Sequence, residues 1–307
     1  MRWRPSSTTQ VEDRRGQGGF GGGLGGLRTG GLGGGGIPIP VGGGIGGIVV
    51  VIIIIVVLNL LGGSSLGGAL GGLGGGQAGE GGAIASLSPE DNQGQFVNAV
   101  TVDVQTFWEE RFAAAGKDYQ ETVTVLFKDG TQTACGTASA ATGPFYCPAD
   151  QQVYLDPGFF DELSSRFGAP GDFAQAYVIA HEYGHHVQDE LDIMDRVAQQ
   201  QQSDPSRAND LSIRLELQAD CLAGVWAHSV YASPDQANVE SITDEDVREG
   251  LKAAAAVGDD RIQEQATGTI DKESWTHGSA EQRTKWFNIG FKQGTTEGCD
   301  TFAAATP

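Results

Sequence analysis

Nine residues, Val178 to His186, constrain this chain more than any other stretch; they read V-I-A-H-E-Y-G-H-H. The residues leading into them, Ala174, Ala176, Tyr177, Val178, Ile179 and Ala180, are apolar, with Gln175 the one polar exception. The pattern predicts a helix from about Phe173 that is apolar on most faces. His181 and His185 are four apart, so on that helix they lie one above the other on the same face. A second helical run, from about Asp210 to Ala232, carries Glu216 and Asp220 at the same spacing. Ala219, Ala223, Gly224 and Ala227 give this second helix a small-residue surface that lets the two helices approach closely.

Two imidazoles at i and i+4 can hold one zinc ion, and a catalytic zinc keeps three protein ligands and one open position for water. The third ligand is expected to be Glu216. Asp220 is expected behind the site, accepting the far ring N–H of His181 or His185 and so fixing its tautomer. Glu182, directly after the first histidine, completes the H-E-x-x-H pattern, in which the glutamate acts as general base on a zinc-held water. His186 lies about 100° round the helix from His185 and reads as a hydrogen-bonded structural histidine. Tyr183 and Gln188 are further polar candidates on the same helix.

H-E-Y-G-H-H followed by E-L-Q-A-D resembles the gluzincin branch of zinc metallopeptidases, and more narrowly the bacterial YpfJ-like neutral zinc metallopeptidase family. The likeness includes Met1-Arg2-Trp3, Val11-Glu12-Asp13-Arg14-Arg15, Gly143 to Asp150, Ala219-Asp220-Cys221, His277-Gly278-Ser279 and Gln282-Arg283. It covers nearly the whole chain apart from a glycine-rich insert. The resemblance implies a mainly helical, zincin-like α+β domain with a small β-sheet, a Zn2+ cofactor and a peptide or protein substrate. It implies a strand bordering the cleft that pairs with an extended substrate. It makes His277 the donor to the oxyanion of a tetrahedral intermediate, against the plainer reading of a cap contact before Ser279. Arg283 is expected to brace the site through a buried carboxylate. The competing class is a membrane-tethered zincin-fold protein with binding or chaperone-like activity and no turnover; the intact Glu182 weighs against it.

Glycine limits how much of the chain can pack. Most of the 48 glycines fall in the first 95 or so residues, leaving about 200 for one folded domain. The net charge of −20 is uneven: up to Leu61 five arginines outweigh Glu12 and Asp13, and the remaining body is acidic, which argues against nucleic acid as a partner. Residues 1–43 read as a disordered, glycine-rich cytoplasmic tail. Ile45 to Leu61, 17 residues without a charge, reads with residue 44 as a single transmembrane helix at the short end of what spans a bilayer core. Ala83-Ile84-Ala85 resembles a signal-peptide cleavage site but lies too far beyond the apolar run. Arginines 2, 4, 14, 15 and 28 then keep the amino terminus cytoplasmic, with the peptidase domain periplasmic or extracellular. Residues 62–88 read as a linker and 89–307 as the zinc metallopeptidase domain.

Within the body the pattern predicts a core helix over Phe96–Ala115 and strands over Glu121–Phe127, Phe145–Cys147 and Gln152–Leu155. Helices are expected at Asp156–Phe167, after Thr243 to about Val257, and from Ser279 through Phe291. Gln199–Asn209 reads as a surface loop or a frayed helix end. Cys135, Cys147, Cys221 and Cys299 form an even set in an exported domain and allow three pairings. Proximity favours Cys135 with Cys147, and Cys221 with Cys299. A cysteine zinc site lacks C-x-x-C spacing.

Overall fold

The computed structural model describes residues 1–16, 87–233 and 238–307. The proposed membrane helix at 44–61 and most of the linker lie outside the described residues. Among the described residues no helix is long and apolar enough to cross a membrane.

The fold is mainly helical α+β, as expected. The long core helix α1 spans Asn92–Ala114, with Asp91 capping it through the backbone N–H of Gly94. It is followed by β3 (Thr124–Leu126), a hairpin of β4 (Gly130–Thr133) and β5 (Gly136–Ser139), then β6 (Phe145–Cys147) and β7 (Gln152–Leu155). Short helix α2 (Gly158–Ser165) leads into α3 (Asp172–Glu190), the helix of the H-E-x-x-H run. The glutamine-rich stretch, read as a surface loop or a frayed helix end, is the end of helix α4 (Ile193–Ser203) followed by a 3-10 turn at Pro205–Arg207. Glutamine is a good helix former, and Val197 is buried, so packing secures a helix that polarity alone did not signal. Helix α5 (Ala208–Ala232) carries Glu216 and Asp220. Beyond it come α6 (Asp244–Ala256), α7 (Asp259–Thr267) and α8 (Ala280–Gln293), with capping boxes at Thr243 and Ser279 opening α6 and α8.

The helices form the core. α5 packs chiefly against α8 and α3, and α3 also against α6 and α1. Trp226 of α5 stacks on Phe173 of α3 at 6.0 Å between rings, and both are fully buried. Glycine permits the closest crossings: a Cβ on Gly184 would stand 3.0 Å from the backbone of Ala219, and one on Gly290 would strike the carbonyl of Cys221. Gly224 faces the backbone of α8 at Phe287 and Phe291, so its smallness serves α8 rather than α3.

Residues 1–16, read from sequence as part of a disordered tail, are docked on the body. Strand β1 (Arg2–Trp3) pairs antiparallel with β8 (Val239–Ser241). Strand β2 (Val11–Asp13) runs parallel to β3 in a four-stranded sheet of order β2-β3-β7-β6. Val11 is fully buried, and Gln10 is held by Asn98 and Gln105 of α1 at 2.9 and 2.8 Å. Three of the arginines counted toward the membrane rule pair within the fold, Arg14 with Glu12, Arg15 with Asp13 and Asp91, and Arg4 with Glu240, while Arg28 lies outside the described residues. β2 shares hydrogen bonds with β3, so residues 1–16 belong to the folded body. That corrects the reading of these residues as part of a disordered tail. Strands of two and three residues have too little periodicity to be read locally, and their partners lie more than a hundred residues away.

Both predicted disulfides form, Cys135 with Cys147 and Cys221 with Cys299.

Candidate metal centre and cleft

His181 and His185 project from one face of α3 toward Glu216 on α5. His181 Nε2 lies 3.2 Å from Glu216 Oε2, and His185 Nε2 lies 3.5 Å from Glu216 Oε1. The three candidate ligand atoms fall within 4.8 Å of one another, and these residues are the only such metal-capable group among the described residues. One carboxylate oxygen faces each imidazole, and small side-chain turns bring the three donors to the roughly 3.3–3.4 Å separations of a tetrahedral zinc. The outer ring nitrogens agree. His181 Nδ1 lies 2.9 Å from Asp220 Oδ1 and His185 Nδ1 lies 2.9 Å from Gln188 Oε1, which turns both Nε2 lone pairs to the same point. Two imidazoles and a carboxylate are a catalytic zinc set, so the residues present fit the ion.

Behind this face is a buried charge cluster. Asp220 is fully buried and accepts from Arg283 Nε and Nη2 at 2.8 and 2.9 Å, and from the Tyr177 hydroxyl. Arg283 also donates to the Val257 carbonyl at 3.2 Å. Burial would raise the Asp220 pKa, yet Arg283 and His181 hold it below the ordinary carboxylate value. Burial would lower that of His181, but Asp220 and Glu216 outweigh it and hold it up at about 9. Glu216 is likewise kept well below its usual value: burial opposes ionisation, and the neighbouring His277, His185 and His181 overcome it.

Glu182 and His277 line the same cleft as the three ligand candidates. His277 Nδ1 faces Asp259 Oδ1 at 3.4 Å, and Asp259 Oδ2 accepts the backbone N–H groups of Thr276, His277 and Gly278 at 2.8, 2.7 and 3.0 Å. The cap of α8 belongs to Ser279, whose hydroxyl accepts from Gln282 N, which leaves the His277 ring free of that role. His186 points away from the site: its Nε2 donates to the Gln120 carbonyl at 2.7 Å and its Nδ1 meets the Tyr146 hydroxyl at 3.1 Å. The cleft encloses about 430 Å³, and Phe145, Tyr146, Phe159, Val178 and Met194 give it a largely apolar wall.

Sequence reasoning missed two supporting residues. Asp259 carries no sequence signal for its place beside His277, and Gln188 reads only as a further polar candidate. Gln188 lies three residues after His185, one turn along the same helix face, and that spacing is the signal that could have found it.

Fold and site together bring two imidazoles and a carboxylate to one cleft, a donor set that can hold a metal ion. Residues 1–302 match the family described as putative neutral zinc metallopeptidase, and the chain belongs to that family. It is a zinc metallopeptidase at the level of its family, with zinc as the cofactor. The uncharacterized protein YpfJ of Escherichia coli K12 is 45% identical over 219 residues, which cover 71% of this chain and 74% of that protein. The uncharacterized protein Rv2575 of Mycobacterium tuberculosis H37Rv is 49% identical over 185 residues, covering 59% of this chain and 62% of the relative. No solved structure matches the chain.

Proposed function

We propose that the chain is a zinc endopeptidase in which His181, His185 and Glu216 hold the metal and Glu182 is the general base. One observation carries this reading: the Glu216 carboxylate lies 3.2 and 3.5 Å from the two Nε2 atoms, one oxygen to each, so that all three residues face one point. Held by these three residues, zinc would supply Lewis acidity toward the scissile carbonyl and would bring the pKa of a held water to near neutral. Glu182 takes the proton from the attacking water and returns it to the departing amine. His277, oriented by Asp259, donates to the oxygen on which negative charge develops, worth a few kcal/mol in the transition state. Asp220 sets the His181 tautomer, and Arg283 neutralises Asp220. β6 ends the four-stranded order and lines the cleft through Phe145 and Tyr146. An extended peptide adds to this edge, and the apolar wall receives its side chains.

Two disulfides suit an oxidising compartment outside the cytosol. In this reading residues 87–307 form the peptidase domain together with residues 1–16, and Ile45–Leu61 holds it at a membrane.

Substitution Glu182→Gln tests the assignment. The variant is expected to retain one zinc per chain by metal analysis and to lose cleavage of an unfolded protein. Normal cleavage by Glu182→Gln removes the base from the mechanism. Wild-type protein that carries zinc yet leaves every peptide intact favours the binding-protein alternative.

A further inference from the structure

Its two ring nitrogens divided between an amide and Glu216, His185 is held differently from His181. Gln188 Oε1 lies 2.9 Å from His185 Nδ1, and Gln188 Nε2 donates to the Leu215 carbonyl at 2.8 Å and to Gln218 Oε1 at 3.0 Å. Gln218 Nε2 in turn donates to the Cys299 carbonyl at 3.0 Å. The direction of this chain is fixed by its ends. The backbone carbonyls of Leu215 and Cys299 only accept, so each glutamine must turn its NH2 toward them. The Gln188 oxygen is then left facing His185 and requires a proton on Nδ1, which exposes the Nε2 lone pair toward Glu216. Gln188 is fully buried and Gln218 is 8% exposed, so water does not compete for these bonds. Cys299 is fastened to Cys221, one turn beyond Gln218 on α5, so the terminal acceptor is itself pinned.

We propose that Gln188 and Gln218 are positioning residues that select the Nδ1–H tautomer of His185 and fix its ring for zinc, with the disulfide-held Cys299 carbonyl as anchor. His181 is set by a charged carboxylate, and His185 by a neutral amide relay running to the carboxyl-terminal segment. Donor bonds in series polarise one another, so the relay acts as one unit. This rests on the reading of His181, His185 and Glu216 as the zinc site.

The test compares full-length wild type, Gln188→Leu, Gln188→Glu and Gln218→Leu. Each protein is stripped of zinc and retitrated against a chromophoric chelator, and the His185 proton is located in long-range 1H–15N spectra. Gln188→Leu is expected to weaken zinc binding roughly 10- to 100-fold and to release His185 from the Nδ1–H form. Gln188→Glu keeps an acceptor for Nδ1 even where it loses the donor to Leu215, so it binds zinc more tightly than Gln188→Leu does. A merely structural glutamine would suffer as much from glutamate as from leucine. Gln218→Leu leaves Gln188 its Leu215 partner and loses less than Gln188→Leu. Unchanged zinc affinity in Gln188→Leu, equal losses in Gln188→Leu and Gln188→Glu, or a greater loss in Gln218→Leu overturns the proposal. A wild type that takes up no zinc overturns the metal-site reading instead, while the spectra still report on the relay.

Discussion

Asp220 accepts four hydrogen bonds at zero exposure, from His181, Tyr177 and twice from Arg283. An asparagine there keeps the volume but leaves the Arg283 guanidinium buried without its counter-charge, a defect that costs about 3–5 kcal/mol. Asp220→Asn is therefore expected to lower the urea midpoint sharply and to weaken zinc binding, both measurable on one preparation. A second buried carboxylate behaves in the opposite way. Asp103 accepts from Trp226 Nε1 at 2.9 Å and from the Val239 N–H at 2.8 Å, but among the described residues no cation faces it, and burial pushes its pKa up to about 6. Between the unfolded value near 4 and the folded value, the folded state binds more protons, so stability falls as pH rises. The Asp103 contribution is fully present below about pH 4 and gone above about pH 6, a loss on the order of 3 kcal/mol. Urea titrations at pH 4, 5, 6 and 7 should show this slope in wild type and not in Asp103→Asn.

Elements were legible where periodicity is long and local. The residue spacing locates α3 and α5 and predicts that both present their polar residues to a common space. What it does not reveal is how close they come. That depends on Gly184, inside the signature itself, whose missing Cβ lets Ala219 sit in contact. Gly184→Ala gains about 1 kcal/mol of helix propensity while pressing α5 away from α3. Circular dichroism should find the helix intact, and peptide hydrolysis should fall by tenfold or more, since a misplacement of an ångström can cost about 100-fold in rate. Retained activity would mean that the helices yield without moving Glu216. β6 and β7 match their predicted bounds because each is a short apolar run beside Pro148-Ala149-Asp150. β1, β2 and β8 escaped because polar residues such as Arg2, Glu12 and Glu240 occupy strands whose only reason to exist is a distant partner.

At the scale of the whole molecule, the amino-terminal motif that carries the family likeness proves to be structural: Trp3 packs edge-on against Phe96 at 5.4 Å, and Val11 closes the core beside α1. The body is therefore assembled from two pieces of sequence separated by residues 17–86. The acidic charge and the disulfides were readable from composition and cysteine count, but the docking was not, because nothing in a short, mostly polar segment announces which strand it will join. A protease that cuts between residues 17 and 86 should consequently yield two fragments that migrate as one under native conditions and part only in denaturant, as native mass spectrometry would record. A second cut on the other side of Ile45–Leu61 would release that stretch, yet the particle left behind would still carry its first sixteen residues, like a key left in a lock after the chain is cut.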